Sequence, residues 1–149
     1  MVSKILVPTD GSKSAKKAGA YAVDLAKQLN ASILVLSVID DRSLIAQTVP
    51  ASKTAIHTIE PIEDYLKEAA ERYAGEVLKI CDKNAVVSEM FIKTGHPVKE
   101  ILKEAKRSRA DLIVMGSRGR SALSAVVLGS VSYGVIHNDK NIPILIVKS

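Results

Sequence analysis

Three glycines and a run of hydroxyl and guanidinium side chains share one stretch of the chain, MGSRGRSALSAVVLGSVS from Met115 to Ser132. Two residues separate Gly116 from Gly119, and nine more lead to Gly129 and Ser130. Glycine admits positive φ and lets another group approach the backbone, so successive N–H groups can converge on phosphate oxygens. Ser117, Ser121, Ser130 and Ser132 add hydroxyl donors, and Arg118 and Arg120 add positive charge. That equipment suits an anionic ligand. Glycine physics alone allows a second reading, in which Gly116 and Gly119 make a turn and Gly129 lets a helix pack closely on a sheet.

Familiar phosphate loops do not account for the stretch. No G-x-x-x-x-G-K-[ST] occurs, and no G-x-G-x-x-G follows a strand. The segment PTDGSKS near the N-terminus fails as a calcium loop, because Ala15 stands where the loop glycine belongs and Tyr21 where the final glutamate belongs. His57, His96 and His137 make no metal-ligand spacing with one another, and a solvated loop position is the plain reading of His96 before Pro97. Cys81 has no activating neighbour in sequence and reads as a structural thiol.

The elements that must position these groups alternate. Ile5 to Val7 reads as a short buried strand ending at Pro8, followed by a helical face of Ala18, Ala22, Leu25 and Leu29 that Ser12 and Ser14 can cap. Ile33 to Ile39 is a second strand, its unbroken apolar run indicating burial on both faces, and Asp40 and Asp41 end it. Residues 42–58 have no clean period and read as a long excursion. A helix follows on Ile62, Leu66, Ala69, Tyr73, Val77 and Ile80, with Pro61 in its first turn. Then come a strand at Val86 to Ile92, a helix on Val98, Ile101, Leu102 and Ala105, a strand at Leu112 to Met115, a helix over Leu123 to His137, and a closing strand at Ile142 to Val147. Pro143 favours an edge strand or a strand start.

This alternation predicts one α/β domain over 1–149, a doubly wound five-stranded parallel sheet with helices on both faces, Rossmann-like in layout. In such a sheet a ligand is expected outside the carboxyl ends of the strands where their order reverses. The loops after Val7, Ile39 and Met115 are the ones to inspect.

Composition narrows the function classes. Apolar residues make up 47% and charged residues 25%, which excludes disordered, collagen-like and fibrous chains. A single cysteine excludes an intramolecular disulfide and fits a reducing cytoplasm. No apolar run approaches the roughly 18 residues of a membrane span, and no signal peptide is expected from MVSKILVPTD. Net charge is +5, but with no Trp, one Phe and four Tyr the chain lacks the stacking platforms that bind single-stranded nucleic acid. Its densest basic segment, Lys103 to Arg109, falls where a helix should end and cations complement the helix dipole.

With these residues in view the chain resembles the universal stress protein family, specifically its ATP-binding branch. The resemblance runs from Lys4 to Val147 and rests on KILVPTDGS, ADLIVMGSRG, the G-x2-G-x9-G-[ST] spacing of Gly116, Gly119 and Gly129-Ser130, and the terminal NIPILIVK. The spacing is its specific part, since members without it form a branch that does not bind ATP. What the resemblance implies is an adenine nucleotide alpha hydrolase-like fold, a homodimer through the last strand, and a site for ATP with Mg²⁺ carried by the phosphates. It places Pro8, Thr9 and Asp10 in the loop after the first strand, with Asp10 near the ribose and adenine. Val38 lines the adenine pocket. Met115 and the loop Gly116, Ser117, Arg118, Gly119, Arg120, Ser121 and Ala122 run along the ribose and phosphates, while Gly129, Ser130, Val131 and Ser132 meet the phosphates. Without the resemblance, Asp10 reads as a turn or capping residue and Val38 as core.

The resulting expectation is a nucleotide-dependent regulatory or stress-response module with no catalytic residues and at most slow ATP hydrolysis. The alternative is a slow ATPase or a nucleotide-processing enzyme of the same fold. Such enzymes would need S-G-G-x-D-S after the first strand or an H-x-G-H set, and PTDGSKS matches neither.

Overall fold

The computed structural model describes residues 1–42, 55–119 and 128–149, the side chains of 55–61 excepted. Its strands are β1 (Lys4–Pro8), β2 (Ser32–Asp40), β3 (Ser88–Gly95), β4 (Leu112–Gly116) and β5 (Ile144–Val147). Its helices are α1 (Lys13–Leu29), α2 (Ala55–Lys83), α3 (Pro97–Ser108) and α4 (Ser130–Asn138). All strand pairings are parallel, in the order β3-β2-β1-β4-β5. The order reverses between β1 and β4.

Side-chain alternation assigns the two faces. Ile5, Val7, Ile33, Val35 and Val114 turn toward α1 and α2, where Ala18, Ala22, Ala26, Ala74, Val77 and Cys81 meet them. Leu6, Leu34, Leu36, Ile113 and Met115 turn the other way, against Ile101 and Ala105 of α3 and Val135 of α4. A strand buried on both faces must be apolar at every position, which is why β1 and β2 read as unbroken apolar runs. Edge strand β3 is covered less and alternates only loosely.

Four element starts differ by two or more residues from the sequence expectation, and β3 runs on to Gly95 rather than ending at Ile92. Strand β3 starts at Ser88 rather than Val86, because Ala85 turns the chain at φ 55° and Val86 is buried ahead of the strand. Helix α2 begins at Ala55, so Pro61 lies inside it rather than in its first turn. Proline there removes one backbone bond, and the apolar period starting at Ile62 gives no sign of the turns before it. Helix α4 begins at Ser130, since Gly129 is extended (φ −70°, ψ 163°) and caps it, so the helix expected over Leu123 to His137 is not continuous through Gly129; residues 123–127 lie outside the described ones. Strand β5 begins at Ile144, because Pro143 accepts from Ile113 N (3.0 Å) yet has no N–H to give. Most of the expected excursion, 43–54, also lies outside the described residues.

Capping closes the helices as their residues dictate. Ser12 is the N-cap of α1, accepting from Ala15 N at 3.1 Å, and Asn30 ends that helix in the left-handed region. Lys106 and Arg107 occupy the last turn of α3, so the densest basic segment is a helix terminus. Among the described residues, no helix is long and apolar enough to cross a membrane.

At the end of the sheet opposite the switch-point loops, one carboxylate ties β1 to β4. Asp111 Oδ2 accepts from Ser3 N (2.9 Å), Ser3 Oγ (3.0 Å) and Lys4 N (3.0 Å). The Ser3 backbone and hydroxyl bonds hold its pKa below the ordinary carboxylate value of 3.8. A depressed folded-state pKa contributes stability that is present above the unfolded value and is lost as pH falls through the folded one. Asp111→Ala should therefore lower the melting temperature at pH 7, by on the order of 3 °C. In melts at stepped pH, the gap between wild type and variant should close below pH of about 3.8.

Candidate functional site

Where β1 and β4 run side by side, their following loops leave toward opposite faces, α1 to one and α4 to the other. The first loop is held by its own backbone. Pro8 pairs with Leu36, Thr9 N donates to Leu36 O (2.9 Å), and Thr9 Oγ1 accepts from Gly11 N (3.3 Å). Asp10 Oδ1 then accepts from Ser12 N at 2.9 Å, the turn that an Asp-Gly pair favours. Gly11 needs its residue type, since it sits at φ 76° and a Cβ there would lie 2.6 Å from Tyr73 Cγ.

The loop after β4 is stitched to three other segments. Ser117 N donates to Val147 O (3.1 Å), Ser117 O accepts from Gly129 N (2.6 Å), and Ser117 Oγ accepts from Ser149 N (3.4 Å). Arg118 N donates to Ser14 Oγ (3.2 Å), and the Arg118 guanidinium donates from Nε (3.1 Å) and Nη2 (2.7 Å) to Ser149 Oγ. Ser14 thus bridges α1 to this loop instead of capping the helix. A Cβ on Gly119 would lie 2.9 Å from Asp10 Oδ2, so the two loops touch across the switch point. Between them an open cleft of about 420 Å³ is lined by Gly11, Ser12, Lys13, Ser14, Arg118, Gly119 and Ser149.

The glycines differ in what surrounds them. Gly116 is a packing residue, because a Cβ there would lie 2.7 Å from the carbonyl carbon of Ser14 and 2.8 Å from its oxygen. Gly134, inside α4, likewise faces Val98, whose Cγ2 would stand 2.6 Å from a Cβ. Gly119 faces a side chain, and Gly129 faces the loop backbone, 3.3 Å from Arg118 Cα to its would-be Cβ. The first bond within α4 runs from Tyr133 N to Gly129 O (2.9 Å), which leaves the N–H groups of Ser130, Val131 and Ser132 directed out of the helix start.

Of the residues singled out from sequence, Asp10, Gly119 and Gly129 are brought together around the switch point. Val38, Met115 and Val131 share the apolar wall on the α3 and α4 face. The Ser130 hydroxyl is exposed at the helix start. Ser132 corrects the expectation of a phosphate-facing hydroxyl: it is buried, and its Oγ donates to Gly116 O at 2.7 Å. Arg120, Ser121 and Ala122 lie outside the described residues. Sequence reasoning missed Ser149, which gives no signal beyond a polar residue after an apolar strand, and Tyr73, which its helical period marks only as core.

The rim beyond β2 carries charge. Arg42 donates to both Asp40 oxygens, from Nε at 3.1 Å and Nη2 at 2.8 Å, and holds the Asp40 carboxyl below the ordinary range. His96 is half-buried as the N-cap of α3, and its Nδ1 is buried without a hydrogen-bond partner, so the reading as a solvated loop histidine does not hold. Cys81 is buried in the core, where desolvation pushes its thiol up. Among the described residues, no three His, Cys, Asp or Glu side chains gather to hold a metal ion.

The model of the universal stress protein family matches residues 1–148. The chain belongs to that family. Universal stress protein YxiE of Bacillus subtilis is 35% identical over 153 residues, covering 99% of this chain and 100% of its own. The solved structure of MJ0577, a universal stress protein of Methanocaldococcus jannaschii, superposes with a TM-score of 0.85 at 30% identity, covering 100% of this chain and 97% of that one. A universal stress protein solved in complex with cAMP superposes with a TM-score of 0.67 at 25% identity, over 98% of this chain and 97% of that one. The doubly wound parallel sheet is therefore the fold of the universal stress proteins.

The two loop glycines should respond differently to alanine. Gly116→Ala meets the Ser14 backbone, which has no room to yield, and should destabilise the protein by about 1–3 kcal/mol. Gly119→Ala meets only the end of the Asp10 side chain, which can rotate, and should cost less than about 0.5 kcal/mol. Urea unfolding of both variants checks the contrast.

Proposed function

We propose that the protein binds ATP at the β1–β4 switch point and acts in the cytoplasm as a nucleotide-dependent regulatory module, a homodimer through β5. The observation that carries this reading is the contact of Gly119 with Asp10, which joins the loop with the G-x2-G-x9-G-[ST] spacing to the loop after β1. The complex of a related universal stress protein with cAMP supports an adenine nucleotide as the ligand.

The residues present fit such a group. Asp10 lies on the nucleoside side, where a carboxylate can accept from ribose hydroxyls. Val38, Met115 and Val131 offer the base an apolar wall. The outward N–H groups of Ser130, Val131 and Ser132 and the exposed Ser130 hydroxyl supply donors for phosphate oxygens at the positive end of α4. Mg²⁺ rides with the phosphates and neutralises part of their charge. Asp10 is the acid of these loops and is engaged with Ser12 N; neither loop contains a glutamine to orient water, so hydrolysis is at most slow.

Dimerisation follows from the sheet edge. β5 has a neighbour on one side only, and Ile144, Leu145 and Ile146 remain partly exposed there. Helix α4 also exposes Tyr133 and Ile136. An apolar edge without a blunting charge invites pairing, and a two-fold contact closes it. Sedimentation should show a dimer for wild type and a monomer for Ile146→Glu; a wild-type monomer at micromolar concentration would sink the dimer.

Denaturing the purified protein and identifying released nucleotide by mass spectrometry tests the central claim, with calorimetry measuring affinity for added ATP. Gly119→Val should abolish binding by displacing Asp10 and filling the approach to the loop, and Gly129→Val by wedging its side chain against Arg118 and Gly119. Ser130→Ala removes one hydrogen bond to a charged group and should weaken binding about ten- to a hundredfold. Unchanged affinity in folded Gly119→Val would make the loop purely structural and end the nucleotide reading.

A further inference from the structure

Tyr73 projects from α2, on a different element from either ligand-side loop, yet its ring sits against Gly11. A Cβ on Gly11 would lie 2.5 Å from Tyr73 Cε1 and 2.6 Å from Cγ, so the ring occupies the space that any larger residue would fill. Gly11 stands between Asp10 and Ser12, whose carboxylate and amide close the turn at 2.9 Å. Elsewhere along the α1–α2 seam, Lys16 Nζ pairs with Glu76 Oε2 at 3.5 Å, and Gly19 faces Val77, whose Cγ2 would stand 3.1 Å from a Cβ. The Arg72 guanidinium lies 5.5 Å from the Tyr73 ring centroid.

Glycine populates positive and negative φ about equally, so the choice at Gly11 falls to its contacts, the bond to Thr9 Oγ1 within the turn and a contact from outside it. The ring is such a contact. We propose that Tyr73 is a positioning residue for the ligand site: it holds Gly11 at φ 76° and thereby aims the Asp10 carboxylate at the nucleoside and at Gly119. The role rests on the nucleotide reading above. It makes α2, which supplies no ligand contact of its own, part of the binding machinery.

Five variants of this chain test it by calorimetry with ATP and by amide exchange at Ser12. Tyr73→Ala should raise the Kd about tenfold or more, while Tyr73→Phe, which keeps the ring, stays within about twofold of wild type. Val77→Ala loosens the same α1–α2 seam without touching Gly11, and should lower the melting temperature while leaving Kd within about twofold. In an Asp10→Ala background, Tyr73→Ala should add less than about twofold, because its effect passes through Asp10. Exchange of the Ser12 amide should speed up about tenfold in Tyr73→Ala and not in Val77→Ala. Wild-type affinity in folded Tyr73→Ala, or equal losses in Tyr73→Ala and Val77→Ala, overturns the positioning role. Should wild type itself bind no ATP, the proposed function falls and takes the aiming of Asp10 at a nucleoside with it. An unchanged Ser12 amide would separately show that Tyr73 does not hold the turn.

Discussion

The parallel pairing of β1 with β4 is the constraint on which the rest of the molecule depends. Register places Ile5 beside Leu112 and Leu6 beside Ile113, so both strands end together at the middle of the sheet. A right-handed crossover from each then sends α1 and α4 to opposite faces. The loops must separate, and the space they leave is the crevice that doubly wound sheets use for ligands. Close backbone approach at Gly116 pins one wall of that crevice to α1. Asp10 and Gly119 meet across it.

Burial, charge and chemistry are arranged consistently around this centre. Apolar side chains fill both faces of β1 and β2, leaving polar groups to gather at the strand ends where backbone donors need partners. Thr9, Ser14, Ser117 and Ser132 are buried there, and each makes a hydrogen bond that fastens one loop to another or closes a turn. The site is rigid where those serines and threonine work. Its groups suited to a ligand, the Asp10 carboxylate and the Ser130 hydroxyl, stand just outside that layer.

Much of this was legible in the sequence, for stated physical reasons. Unbroken apolar runs reported strands buried on both faces, and helical periods reported α1, the later part of α2, and α3. Glycine spacing marked the loop after β4, and Asp-Gly marked the turn after β1. What escaped were contacts made between elements far apart in the chain. For Gly129 the sequence left two readings open, a phosphate loop or close packing of a helix on the sheet; the tightest packing positions are Gly116 and Gly134, because only the assembled fold shows which groups come close. Ser132 looked available to a phosphate until its hydroxyl proved to face Gly116. Tyr73 lay in an apolar stripe that said nothing of Gly11, and the start of α2 lay upstream of any periodic signal.

Ser117 carries a consequence of its own. One buried residue bonds through its N–H to Val147, through its carbonyl to Gly129 and through its hydroxyl to Ser149. The N-cap of α4, the last residue of the exposed edge strand and Ser149 two residues further on therefore meet at one side chain and its backbone. The start of α4 and the end of β5 thus share one buried partner, and the wall of the crevice is joined to the sheet edge through a single residue.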